Sequence, residues 1–150
     1  AARARQLSLR VGPRGEALTM PEIRITITGL DEAVQRVGQT QVLDVLQAPM
    51  QRAVLDVQAR MQQYPPARSG STYRRTLTLG RRWTSAVARE GNSLRGTVGN
   101  NTRYAPFVQS QMFQARVHRG RWLTDQQAIE QAAPAIIADF AQAVRDAFGA

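Results

Sequence analysis

Cysteine is absent from the 150 residues, and histidine occurs once, as His118. The first absence excludes disulfides, thiolate metal sites and cysteine nucleophiles. A single histidine leaves no set of nitrogen and sulfur ligands of the kind that holds zinc. Lysine is missing as well, and all twenty basic residues are arginine. Every side-chain cation is therefore a planar, permanently charged fork suited to carboxylates, phosphates and interfaces. No apolar run approaches the roughly 18 residues that span a bilayer, so no membrane contact is expected. Gly91, Gly96 and Gly99 lack the phosphate-cradling pattern, and Ser69, Ser71 and Ser85 have no neighbouring base. The eleven acids are scattered except for Asp31-Glu32, which sits where a helix N-terminus favours carboxylates. This inventory argues against an enzyme and offers no catalytic, cofactor or metal site. His118, between Val117 and Arg119, reads as a structural residue.

What is present points to one α+β domain. The chain is 43% hydrophobic, enough to build a core. Glu22 to Thr28 alternates, with Ile23, Ile25 and Ile27 on one face, which predicts a half-buried strand. Asp31 is placed to cap a short helix ending near Gly38. From Thr40 to about Gln63, Leu43, Leu46, Met50, Val54, Val57, Met61 and Tyr64 recur at three or four, the spacing of an amphipathic helix. Pro49 should bend it, and Pro65-Pro66 should end it. Residues 65–81 read as a long basic loop. Arg82–Arg89 and Leu94–Gly99 flank a four-residue loop, Glu90 to Ser93, and predict a β-hairpin. Thr124 with Gln127 forms a capping-box signature ahead of a second long helix, residues 125–148. Its expected apolar stripe is Ile129, Ala133, Ile136, Ile137, Phe140, Val144 and Phe148, with a bend at Pro134. The expected architecture is a small, mainly antiparallel sheet packed on two long helices.

Residues 1–19 form a separate arm, basic and broken by Gly12-Pro13, ahead of a domain spanning residues 20–150. Its only alternating apolar set is Leu7, Leu9 and Val11. Such a set can add a strand to an exposed sheet edge, and a neighbouring chain is the expected host. The competing arrangement folds the arm back on its own domain.

The net charge of +9 is concentrated. Residues 60–121 hold twelve arginines against one acid, Glu90, whereas residues 20–59 and 122–150 are net negative. Within loop 65–82, arginines interleave with Tyr73 and Trp83, as they do at protein hot spots and on nucleic-acid surfaces. No named nucleic-acid reader is visible. Arg68, Tyr73, Arg74, Arg75, Arg81, Arg82, Arg116 and Arg119 are the candidate interface. Trp83, Tyr104, Phe107, His118, Arg121 and Trp122 are the candidate structural anchors. Trp122 is expected to pack under the hairpin, and Phe107 and Val108 are expected to point inward.

Three stretches, STYRRTLTLGRRWT (71–84), VGNNTRYAPFVQ (98–109) and QARVHRGRW (114–122), together resemble the neck proteins of long-tailed bacteriophages and prophages, head–tail joining components related to those of lambdoid phages. The resemblance spans about residues 21–148, opening on the strand and Gly-Leu-Asp turn at Ile23–Asp31. Members often carry glycine where this chain has Leu77. The resemblance implies a structural virion protein, assembled in the host cytoplasm as a homo-oligomeric, six-fold ring in the neck. Its implied partners are head connector or stopper proteins above, tail terminator or tail tube proteins below, and genomic DNA in the channel. A tail terminator ring capping the tail tube is the alternative in the same setting. A nucleic-acid-binding protein using the Arg-rich loop 65–82 is the alternative of a different class.

Overall fold

A computed structural model describes residues 9–11, 22–27 and 30–149. The Gly29 turn and all of the arm except Leu9–Val11 lie outside those residues. The elements run β1 (Leu9–Val11), β2 (Glu22–Ile27), α1 (Asp31–Val37), α2 (Gln39–Met61), α3 (Thr78–Arg81), β3 (Trp83–Glu90), β4 (Ser93–Asn100), α4 (Ala105–Gln109) and α5 (Asp125–Phe148). One 3₁₀ turn, Arg116–His118, interrupts the loop before α5. This is the α+β architecture that the patterning predicts.

The sheet is wholly antiparallel, in the order β1-β2-β4-β3. Its core rows follow from alternation: Ile23 pairs with Val98, Ile25 with Gly96 and Ile27 with Leu94, and all of them face the helices. The opposite face carries Arg24, Thr26, Arg95, Thr97, Ala86 and Ala88, the small or polar residues of a sheet open on one side. Glu90 pairs directly with Ser93, so the hairpin turn is the two residues Gly91-Asn92 rather than the expected four. Gly91 adopts φ +55°, which glycine does without strain. β1 lies along β2 of the same chain, the folded-back arrangement for these three residues of the arm.

The two long helices cover one face of the sheet. On α2, Leu43, Leu46, Met50, Val54, Val57 and Met61 are buried as the periodicity predicts, joined by Val42, Pro49 and Ala53. α5 runs antiparallel to α2. Arg52 forks onto both carboxylate oxygens of Asp139 at 2.7 and 2.9 Å, and Arg60 reaches Gln131 at 3.3 Å. Both pairs are exposed, which limits their contribution. The capping box forms as predicted, Thr124 accepting from the Gln127 N–H and the Gln127 side chain returning to the Thr124 N–H. The stripe of α5 is rotated from the expected one. Ala128 and Ala132 are buried with Ile129, Ile136 and Phe140, while Ile137 is exposed. Ala128 and Ala132 thus enter the shared core, a choice that hydrophobicity alone does not make. Asp31 is the first helical residue and Leu30 takes the cap position. Both helices run continuously past their internal prolines, Pro49 and Pro134.

Gly96 marks where α2 crosses the sheet. A Cβ there would stand 2.5 Å from Val54 Cγ1 and 2.6 Å from Met50 Sδ. Glycine in a strand interior often records such an approach. Gly96→Ala should therefore cost about 1–3 kcal/mol through overpacking, lowering the thermal midpoint by several degrees. A variant melting like the parent would mean that α2 stands off the sheet.

Candidate interaction surface

α2 ends, β3 begins and β4 ends at one extremity of the domain, and the irregular segments all leave from there. Residues 62–77 run from α2 to α3, and residues 101–124 link β4 to α5. Uncharged side-chain amides hold them. Gln109, fully buried on α4, accepts from the Trp83 indole N–H at 3.1 Å and donates to Met61 O at 3.0 Å and Leu123 O at 3.3 Å. Gln114 donates to Val108 O at 2.8 Å and Trp122 O at 3.1 Å. Asn100 donates to Leu79 O at 2.8 Å and accepts from the Thr102 N–H at 2.9 Å. None of these amides was a sequence candidate, because glutamine and asparagine carry no periodic signal that separates a buried hydrogen-bonding role from a solvated one.

Loop 62–77 docks on the second loop through arginines. Arg75 donates to Pro65 O and lies 5.5 Å from the Tyr64 ring centroid and 5.7 Å from that of Trp122. Arg121 donates to Pro66 O at 3.0 Å, and Arg68 to Val117 O at 3.1 Å. Prolines keep their carbonyls free to accept while lacking an N–H, so Pro65-Pro66 serves as a paired acceptor for two guanidinium groups. Tyr64 and Trp122 meet edge-to-face at 5.1 Å, and the Tyr64 hydroxyl accepts from the Gly80 N–H at 2.8 Å.

Among the predicted anchors, Trp83 is buried and Arg121 makes an internal bond. Three others are corrected. Trp122 is half-buried beside Tyr64 and the small cluster of Leu79, Ala105 and Val108, not under the hairpin. Tyr104 and Phe107 are exposed, although Val108 is buried as expected. The one turn of α4 explains this: Ala105, Pro106, Val108 and Gln109 take the inner face, so positions 104 and 107 fall on the outer one. His118 packs edge-on to Trp122 at 6.3 Å. Burial, reinforced by Arg121 and then Arg68, holds its imidazole below the ordinary range, so it adds no charge to this surface at neutral pH.

Of the predicted interface, Arg68 and Arg75 are spent on internal carbonyls, whereas Tyr73, Arg74, Arg81, Arg82, Arg116 and Arg119 are exposed. Residues 62–82 and 101–124 contain nine arginines and no acid. The rest of the chain holds the other eleven arginines and all eleven acids. Ion pairs among the described residues follow the same division: they use Arg24, Arg52, Arg60, Arg89 and Arg95, and none of the nine meets a carboxylate. The same extremity exposes Tyr73 (76%), Met112 (65%), Val117 (53%), Tyr104, Phe107, Phe113 and Leu77. Among the described residues no group of acids and histidine is placed to hold a metal ion, and no helix is long and apolar enough to cross a membrane.

Two substitutions check this geometry. Gln109→Leu should cost several kcal/mol, since each buried group left unpaired at Trp83, Met61 and Leu123 costs about 1–3 kcal/mol. An unchanged denaturation midpoint would remove Gln109 from its central role. Leu77 is the one described non-glycine residue with positive φ, +62°. That left-handed conformation costs an L-residue about 1–2 kcal/mol, and glycine returns about 0.5–1 kcal/mol through its freedom in the unfolded chain. Leu77→Gly should raise stability by roughly 0.5–1 kcal/mol, and a loss measured by the same denaturation would contradict the strain.

No family model, curated protein or solved structure matches the chain, so the functional reading rests on this surface and on the residues that build it.

Proposed function

We propose that the chain is a structural subunit of a tailed-bacteriophage neck, a homo-oligomeric ring that joins the head connector to the tail. The observation that carries this reading is the segregated surface: nine arginines without a carboxylate, set among exposed aromatic and aliphatic side chains. Such a combination is what protein interfaces concentrate at their hot spots. The three stretches that resemble neck proteins, residues 71–84, 98–109 and 114–122, converge on it although they are separate in sequence. At Leu77, where neck proteins often carry glycine, the backbone takes the conformation glycine prefers.

A closed ring needs a heterologous interface, one patch meeting a different patch on the next copy. The arginine-rich end is one such patch, and α5, which carries Glu130 and Asp146 on its exposed surface, supplies an opposite charge. Unpaired rim charges of this kind set encounter and register.

Electron microscopy of the purified chain tests the assembly, with closed rings as the expected result. Arg74→Glu with Arg116→Glu tests the surface. Both side chains are exposed and form no hydrogen bond or ion pair among the described residues, so the double variant should melt within about 0.5 kcal/mol of the parent. It should fail to join heads to tails. Tailed, infectious particles carrying both changes would defeat the proposal.

A further inference from the structure

Within the arginine-rich end lies a groove of about 310 Å³, walled by Tyr64, Tyr73, Leu77, Tyr104, Phe107 and Trp122. Leu79 and Val108 form its floor. Both floor residues are buried, whereas Tyr73, Leu77, Tyr104 and Phe107 expose apolar surface around the opening. Arg75 lines one side, fixed by its bond to Pro65 O and its place over the Tyr64 and Trp122 rings. Arg74, Arg81 and Arg119 are exposed on the segments that frame the groove, without a carboxylate partner among the described residues.

We infer that the groove receives one apolar side chain of a partner protein whose flanking residues are Asp or Glu. This names the partner chemistry of the joining surface and rests on the reading above. The charge argument is direct: a segment laid across the opening passes the arginines that this chain leaves unneutralised, and carboxylates are the protein groups that fork onto them. The apolar argument concerns the walls. A nucleic acid would stack its bases on open ring faces, and the two rings deepest in the loop junction do not offer theirs. Here Tyr64 and Trp122 meet at an interplanar angle of 70°, and Arg75 already lies over both. The Tyr64 hydroxyl is committed to Gly80. What is left to bury is aliphatic surface from Leu77, Leu79 and Val108 between the rings of Tyr73, Tyr104 and Phe107, a concave apolar lining that rewards an apolar side chain. Leu77 is held in its left-handed conformation at the rim. Strained residues of that kind cluster at binding sites, where geometry matters more than local stability.

Fluorescence anisotropy on the purified full chain tests the inference with short synthetic probes. The first is a labelled peptide with a Phe-Leu centre flanked on both sides by Asp and Glu. Controls replace the centre by Ser-Ser or the acids by lysine, and a single-stranded oligothymidylate represents nucleic acid. The acidic, apolar-centred peptide should bind about tenfold tighter than either peptide control, a difference of about 1.4 kcal/mol. Phe107→Ser should weaken that binding about tenfold, as should Arg74→Ala with Arg119→Ala, with the melting temperature of each variant recorded to confirm folding. Equal binding of the three peptides, no binding of any, or tighter binding of oligothymidylate would overturn the inference. Rings that form and join normally with Phe107→Ser would overturn it while sparing the neck reading. Peptide binding by a chain that forms no rings would do the reverse.

Discussion

The side-chain amide of Gln109 stands where three segments meet: the last turn of α2, the first residue of β3 and the strand-like approach to α5. Each of those segments is well made locally, by helical periodicity, by alternation or by a capping box. None of that local order says how the ends are to be gathered. A buried amide has donors and an acceptor pointing in fixed directions, so it can satisfy an indole N–H and two carbonyls at once, and satisfying them fixes the angles between their chains. Gln114 and Asn100 repeat the device for the loops around it. Because these amides are neutral, their bonds do not depend on a protonation state. The arginines mounted on the loops keep their charge at any ordinary pH and are screened by salt.

That separation of duties extends through the molecule. The sheet and the two long helices come close to balancing their own charge, and their ion pairs lie within β2 and α2 or link α2 to α5, α2 to β3 and β3 to β4, at largely solvent-open positions where each contributes little. Their stability comes instead from the apolar layer between sheet and helices, close enough at Gly96 that no Cβ fits. The loops, by contrast, carry the whole net charge. Three of their arginines, Arg68, Arg75 and Arg121, turn inward to backbone carbonyls and so close the loops on each other. A guanidinium bonded to a carbonyl keeps its charge, so the closing bonds leave the positive field intact. The surface is thus rigid and charged together, which suits a part that must fit a neighbour and attract it.

The proposed neck reading and the physical reading of the surface concern the same residues by different routes. The first rests on three separate runs of sequence; the second on exposure, unneutralised charge and a rim residue with φ +62°. Trp122 shows how the two differ in detail. As the tryptophan just before the Thr124 cap it reads as an anchor under the hairpin, yet it packs at the loop junction with Tyr64, Arg75 and His118. It holds the surface together rather than the hairpin.

By itself the sequence determined the elements and their layering: Ile23, Ile25 and Ile27 could only face one way, the α2 residues at three- and four-residue spacing could only form one stripe, and Thr124 with Gln127 named the start of α5. It also determined where charge accumulates, since that depends on composition alone. Tertiary structure decided the rest, because the deciding distances join residues far apart in the chain. Whether Arg75 faces solvent or Pro65 depends on where the turn after α2 lies against residues 117–122. Whether Ala132 or Ile137 is buried depends on how α5 is turned about its axis against the rest of the core. Whether Phe107 points in or out depends on which side of a single helical turn Gln109 must occupy to reach Trp83, Met61 and Leu123. Periodicity reports which residues share a face; only the packed chain says what that face meets.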